Sequence, residues 1–539
     1  MNIGLVIITI CLSIFSTGVM SYIALATPIG PWIAPTLVLI GTFLVHLIGL
    51  RGKRYSDGLA LVTAGGSIGG ILATALSFSF PTLYFLDQSF FGGWMESPIY
   101  FVALVAGLSL AGGSFGLLIA DLLEHNLIVK DELPFPIGQL VYKMIAAQNQ
   151  ARKALELAIG ACATFIFTAL HGGTWLFKAV LASGITLTKQ YALGPVTIPL
   201  IQLRFDVLPM LLAIGFITGH VIAIPLIVGA IARIGLMEPI NNLFFPTISG
   251  PDFLLAFGSG LVAVGAVQSF FDLPKMLRGW FRKLKDGGPR KSMDMELFAP
   301  LQERAHMIQA MLTLILVIGY LSAMHFSVLS QFYLIILSFV CAYQIVVIAG
   351  KIGLAQLGRF ATFVMVPALF LFGVDPLRVT VIATFVELCG GVATDVLFGR
   401  KMGQMAGINR STLRWFQILG LIVSSIAAGV IMWLLVHKFG LGGEPLVAQR
   451  AQARALLINV SHFNWFVLII GGIFGLILKK CKLNPMLVLG GLLMPFTYSI
   501  GLIIGGCLSF MVKDREEWEP FWSGVFAANS ITELAKTLM

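Results

Sequence analysis

The chain has 539 residues, 58% of them hydrophobic and 11% charged, with a formal net charge of +10 and a mean hydropathy of +0.94. A soluble domain carries about 25% charged residues, so this chain cannot cover itself with a charged surface. Continuous apolar runs exclude a barrel, whose strands alternate with period two, and the basic residues sit in short segments between those runs, which suits anionic lipid rather than nucleic acid.

Runs of about 20 apolar residues, enough to cross a hydrocarbon core of about 30 Å, begin at the first residues. The pattern predicts spans near 2–22, 31–50, 58–81 and 99–122. Residues 1–50 contain no Asp, Glu, Lys or Arg, so the opening run lacks the basic leader of a cleavable signal and reads as a permanent span. VTAGGSIGGILATA (62–75) and LVAGLSLAGGSFG (104–116) place small residues on several helix faces. In lipid, small residues let helix backbones approach closely. Asp121, Glu124 and His125 fall at a span end, where a solvated interface is expected.

DELPFPIGQLVYK (131–143) interrupts the apolar regime. Pro134 and Pro136 lack backbone donors, and each restricts the residue before it to extended geometry. Residues 133–136 are therefore expected to be non-helical, with helical character resuming at Gln139. The stretch delivers the N-terminus of a half-helix, whose free N–H groups and partial positive charge suit a carboxylate. Phe135, Pro136, Gly138 and Gln139 become candidate substrate-binding residues, while Asp131 and Glu132 read as membrane-face residues. Unwound backbone at membrane depth is tolerated only inside protein or beside a water-filled cavity.

Further spans follow at 154–177, 206–232 and 252–272, and the apolar stretches 133–150, 191–203 and 519–539 read as short or re-entrant helices. His220 occupies the centre of 206–232, flanked by Gly219 and followed by Pro225. Histidine titrates near neutrality, so His220 is a candidate carrier of a coupling proton. KMLRGWFRKLKDGGPRK (275–291) is the densest basic cluster, and the positive-inside rule puts it in the cytoplasm together with Arg51, Arg400, Arg410 and Arg414. Two spans precede Arg51, so the N-terminus is expected on the cytoplasmic side. The hydrophilic stretch 273–302 divides the chain into an N-terminal membrane half, 1–272, and a C-terminal half, 303–539.

The second half predicts spans at 303–323, 329–350, 353–372, 376–398, 413–436, 456–478 and 484–511. With the short stretches, this makes an all-α polytopic integral membrane protein of roughly twelve to sixteen transmembrane helices. Glu387 lies mid-span, and Asp395 follows two helical turns on along a similar face. Charges within spans are costly and usually functional, and burial favours a protonated carboxyl, so both are candidates for proton coupling. Gln344 is a neutral amide able to bind peptide backbone. Pro495 breaks a last apolar run, and Phe496 and Tyr498 at that break join the substrate-binding candidates. Glu533 and Lys536 are spaced to pair on a terminal helix. The six cysteines form no CxxC pair and the eight histidines show no metal-ligand spacing, so no metal site and no cofactor are expected.

Several of these segments, in order, resemble the oligopeptide transporter family, which includes the yellow-stripe metal-chelate transporters. VTAGGSIGGILATALSFSFPTLYFLD (62–87) is similar to its early small-residue segment, and ELPFPIGQ (132–139) to its Leu-x-Phe-Pro-Ser-Gly motif, with Ile137 in place of the serine. FGSGLVAVGAVQSFFDLPKMLRG (257–279), ELCGGVATDVLFGRKMG (387–403) and the hairpin 469–512 continue the series. The resemblance implies secondary active import of small oligopeptides by alternating access, generally proton-coupled. A metal-chelate symporter of the same family is the alternative. An integral-membrane enzyme would want clustered acids or histidines at the membrane face, and the one such cluster, 121–132, has no phosphate-binding or nucleophile arrangement. The expected partners are a peptide or chelate, H+ and membrane lipid, in a plasma or bacterial inner membrane; a homo-oligomer is compatible with the pattern.

Overall fold

A computed structural model describes residues 2–538 apart from 29, 31, 51, 147–150, 173–183, 195, 199, 200, 206, 251, 252, 255, 259, 262–303, 353, 354, 374, 459–463, 484, 494 and 495. At some further positions, His220 and Tyr498 among them, the backbone alone is described. The predicted linker 273–302, most of the predicted span 252–272, and Pro495 lie outside the described residues.

The first helices are α1 (Ile3–Ala26), α2 (Ala34–Leu47), α3 (Lys53–Ser79), α4 (Thr82–Leu86), α5 (Gln88–Met95), α6 (Pro98–Glu124), α7 (Pro136–Ala146) and α8 (Ala151–Gly172). Four short strands follow: β1 (Gly184–Thr188), β2 (Tyr191–Leu193), β3 (Val196–Ile198) and β4 (Ile201–Arg204). Next come α9 (Leu208–Thr218), α10 (His220–Ala232) and α11 (Glu238–Phe244). Beyond residue 303 lie α12 (Arg304–Ala323), α13 (Val328–Ile352), α14 (Leu357–Phe372), α15 (Pro376–Ala406) and α16 (Arg410–Phe439). The chain ends with α17 (Gln449–Ile458), α18 (Trp465–Lys480), α19 (Pro485–Leu493), α20 (Phe496–Met511) and α21 (Arg515–Leu538).

The protein is an all-α polytopic membrane protein. Among the described residues, seven helical segments are long and apolar enough to cross a membrane: Ile3–Ala26, Lys53–Leu86, Pro98–Lys130, Ala223–Phe244, Val328–Gly350, Pro376–Ala406 and Arg410–Phe439. Several predicted spans are broken into shorter pieces. The span 206–232 divides into α9 and α10 at Gly219, which has φ 62°. The spans 456–478 and 484–511 each fall across two helices.

The stretch 191–203 is not a short helix but part of a hairpin. β1 pairs with β4 and β2 with β3, both antiparallel, around a turn at Gly194. Ile185, Thr186, Thr188, Val196, Thr197, Ile198 and Ile201 are β-branched, and such side chains favour a pleated strand over a helix. Apolarity alone does not distinguish the two.

Contacts group the chain into two compact units, Met1–Ala147 with Ala266–Ala451, and Gln148–Gly265 with Gln452–Met539. Each unit thus draws one segment from either side of the predicted linker. Helix packing, not chain order, decides the grouping.

In the first unit the apolar windows of α3 and α15 are wholly buried, while those of α1, α13 and α16 are about half buried. The outer helices present apolar stripes outward: on α16, Trp415, Ile422, Ile426 and Val430 share one exposed face at helical spacing. The enclosed helix α15 carries the ionisable Glu387 and Asp395 mid-span, where burial keeps them from lipid. Glycine makes the closeness possible. Gly65 of α3 and Gly420 of α16 meet backbone to backbone, and a Cβ on Gly420 would run into the Gly65 carbonyl.

Candidate functional site

The helix α15 is set up by local signals. The Asp375 carboxylate accepts a hydrogen bond from the Arg378 N–H, Pro376 opens the first turn, and Gly407 closes the last in the left-handed conformation. Between these ends the helix carries Glu387, Asp395 and Arg400 through the interior, with exposures of 0%, 3% and 3%. Burying ionisable groups is costly unless they are paired or protonated, so the surroundings of each matter.

Asp395 faces α3. Its Oδ2 accepts a hydrogen bond of 2.6 Å from the Ser67 hydroxyl. Beside this pair lies a narrow cleft with room for about one water-sized occupant, opening partly outward and walled by α2, α3, α7 and α15. Thr63, Ser67 and Asp395 supply its polar side chains, while Ile137 and Phe398 are among its apolar lining.

The proline-broken stretch forms one wall. The chain leaves α6 through a π-helical turn, His125–Lys130, and residues 131–135 are non-helical. The Leu133 N–H donates to the Leu127 carbonyl at 2.9 Å, and the Phe135 N–H donates to the Gly350 carbonyl at 2.8 Å. Phe135 has φ 45°, in the left-handed region that residues other than glycine rarely adopt. Its ring is fully buried and meets the Phe398 ring edge-on at 5.9 Å. α7 then starts at Pro136, where a missing N–H costs a helix nothing. Gly138 sits directly on the backbone of Phe398, and a Cβ there would collide with the Phe398 carbonyl. These contacts seat the first turn of α7 against α15 beside Asp395.

One and a half turns beyond Asp395, Arg400 anchors an ionic network. Its guanidinium contacts Asp121 at 2.5 Å and Glu124 at 2.6 Å, both from α6. Arg414 contacts Asp121 at 2.7 Å and Arg410 contacts Glu124 at 2.8 Å. Gln309 accepts a hydrogen bond from Arg414, and Gln417 donates to the Val396 carbonyl at 3.0 Å while receiving Arg400 Nε at 3.4 Å. Asp121, expected at a solvated interface, is 2% exposed. Arg400, expected as a cytoplasmic loop marker, is an interior residue of α15. The network holds α6, α15 and α16 together at one end.

Residues 279–531 match the family model for OPT oligopeptide transporter proteins. That family transports oligopeptides or related solutes, and the matched region includes Glu387, Asp395 and the Arg400 network's contributions from α15 and α16. A comparison with curated proteins finds no match.

The sequence-derived candidates fall in different places. Asp395 and Gly138 line the same cleft. Phe135 is packed in the interior, while Pro136 and Gln139 are half-buried on the adjoining segment. Glu387 is fully enclosed two turns earlier on α15. Gln344 is half-buried on α13. In the second unit, His220 opens α10 directly after the Gly219 break, and Phe496 and Tyr498 lie in the first turn of α20; the side chains of His220 and Tyr498 and all of Pro495 lie outside the described residues. Among the described residues no group of three or more His, Cys, Asp or Glu is placed to hold a metal ion. Thr63 and Ser67 were not singled out by sequence reasoning, and Asp121 was placed at a solvated interface rather than in the buried network. Their signal is faint: hydroxyls four apart within a glycine-rich helix, and an acid whose basic partner lies 279 residues away.

Proposed function

We propose that the protein is a secondary active transporter that imports small oligopeptides by alternating access, with protons as the coupling ion. It is a carrier rather than an enzyme, and its N-terminus faces the cytoplasm. The observation that carries this reading is the placement of two carboxylates, Glu387 and Asp395, inside a helix wholly surrounded by protein. A buried carboxylate exchanging with one side and then the other is a means of coupling an ion to a conformational cycle. Support also comes from the end of the proline-broken segment, where buried Phe135 and Gly138 pack on Phe398 of α15, the kind of protein shelter that unwound backbone in a membrane protein needs.

The test is uptake into proteoliposomes under an imposed inward proton gradient, comparing short peptides with iron–chelate complexes. Peptide accumulation that collapses with the gradient is expected, and Glu387→Gln with Asp395→Asn should abolish gradient-driven accumulation. If the double variant still concentrates peptide with the same pH dependence, the coupling assignment is wrong. If only the chelate accumulates, the substrate assignment is wrong.

A further inference from the structure

The cleft between α3, α7 and α15 has a feature that a proton carrier does not require. Thr63 is 1% exposed, yet among the described residues no group is hydrogen-bonded to its hydroxyl oxygen. A helical threonine ordinarily returns its hydroxyl to the carbonyl four residues back. Thr9, Thr17 and Thr74 do so in this same unit, at 2.8, 2.7 and 2.8 Å. Thr63 instead lines the cleft. Ser67 lies four residues on, along the same face of α3, and its hydroxyl is turned to the Asp395 carboxylate at 2.6 Å.

We propose that Thr63, Ser67 and Asp395 form a binding site for one monovalent metal cation of the sodium class. The three side chains offer only oxygen, the donor type that hard cations take. They carry one carboxylate and hence one negative charge, which balances a single positive charge; calcium sites draw on more oxygens and commonly on several carboxylates. The cleft has room for about one water-sized occupant, enough for a small ion and too little for a peptide. A proton on Asp395 accounts for the carboxylate and for Ser67 but leaves the Thr63 hydroxyl unexplained; a cation engages all three oxygens. The proposal goes beyond the transport reading, because it concerns binding to the protein at rest.

The test uses the purified full-length protein in detergent, unfolded thermally at constant pH and ionic strength in sodium, potassium or choline chloride. A ligand that binds only the folded state raises the midpoint by mass action, roughly 2 °C at ten times the dissociation constant. Sodium should raise the midpoint above its value in choline. Thr63→Val keeps the side-chain shape and removes one oxygen, so it should fold and lose most of the sodium-specific rise. Asp395→Asn should abolish the rise, and if that variant fails to fold, Thr63→Val decides alone. Ser424→Ala removes a buried hydroxyl on α16 outside the cleft and should leave the rise intact. An equal midpoint in all three salts, meaning that the cleft holds water only, overturns the proposal. So does a sodium rise that survives Thr63→Val. Because no step measures uptake, a failed transport assay and a failed cation site are told apart.

Discussion

Replacing Arg400 with methionine should destabilise the first unit by about 3 kcal/mol. Its side chain is 1% exposed and contacts the side chains of Asp121 and Glu124, which are 3% and 16% exposed. Removing one partner of a buried pair typically costs about 3–5 kcal/mol, because a charge is left buried without compensation. Here each carboxylate keeps a second arginine, Arg414 for Asp121 and Arg410 for Glu124, which places the expected cost at the lower end. Arg410→Ala provides the contrast. That side chain is 47% exposed, and an exposed ion pair is worth about 1 kcal/mol or less. Asp121→Asn combined with Arg400→Met should cost less than the sum of the two single changes, since they share one interaction. Equilibrium unfolding of the purified protein in micelles, with all four variants in parallel, measures the series. A loss below about 1 kcal/mol for Arg400→Met, or equal losses for Arg400→Met and Arg410→Ala, would refute the assignment of Arg400 as the buried centre of the network.

Two packing predictions are tested in the same unfolding assay. Gly420→Ala pushes a methyl group into the Gly65 carbonyl and should cost about 1–3 kcal/mol, since α3 and α16 must separate to admit it; a neutral result would mean that the two backbones do not touch. Phe135→Ala empties a fully buried ring site against Phe398 and should cost about 3–5 kcal/mol. A loss within about 0.5 kcal/mol, typical of a surface position, would show that the proline-broken stretch is not packed in the interior.

The break at Pro134 and Pro136 was legible because proline removes a donor wherever it stands, and the structure starts α7 at Pro136 as that chemistry requires. The outer helices were legible too, since length and apolarity alone decide whether a segment suits lipid. The hairpin at 184–204 was not, because a short apolar run fits a strand and a helix equally well until its partner strand is known. Arg400 shows the same limit from the other direction. An arginine following an apolar run reads as a membrane-edge marker, and its inward placement is visible only once α6 brings Asp121 and Glu124 against it.

By itself, then, the order of residues determined that the chain is built of apolar helices suited to a bilayer, and where one of its breaks must fall. These are properties of single segments meeting solvent or lipid. Which helices are enclosed, which hydroxyl meets Asp395, and which acids neutralise Arg400 were decided only by packing, because they depend on pairs of residues hundreds of positions apart that share no local signal.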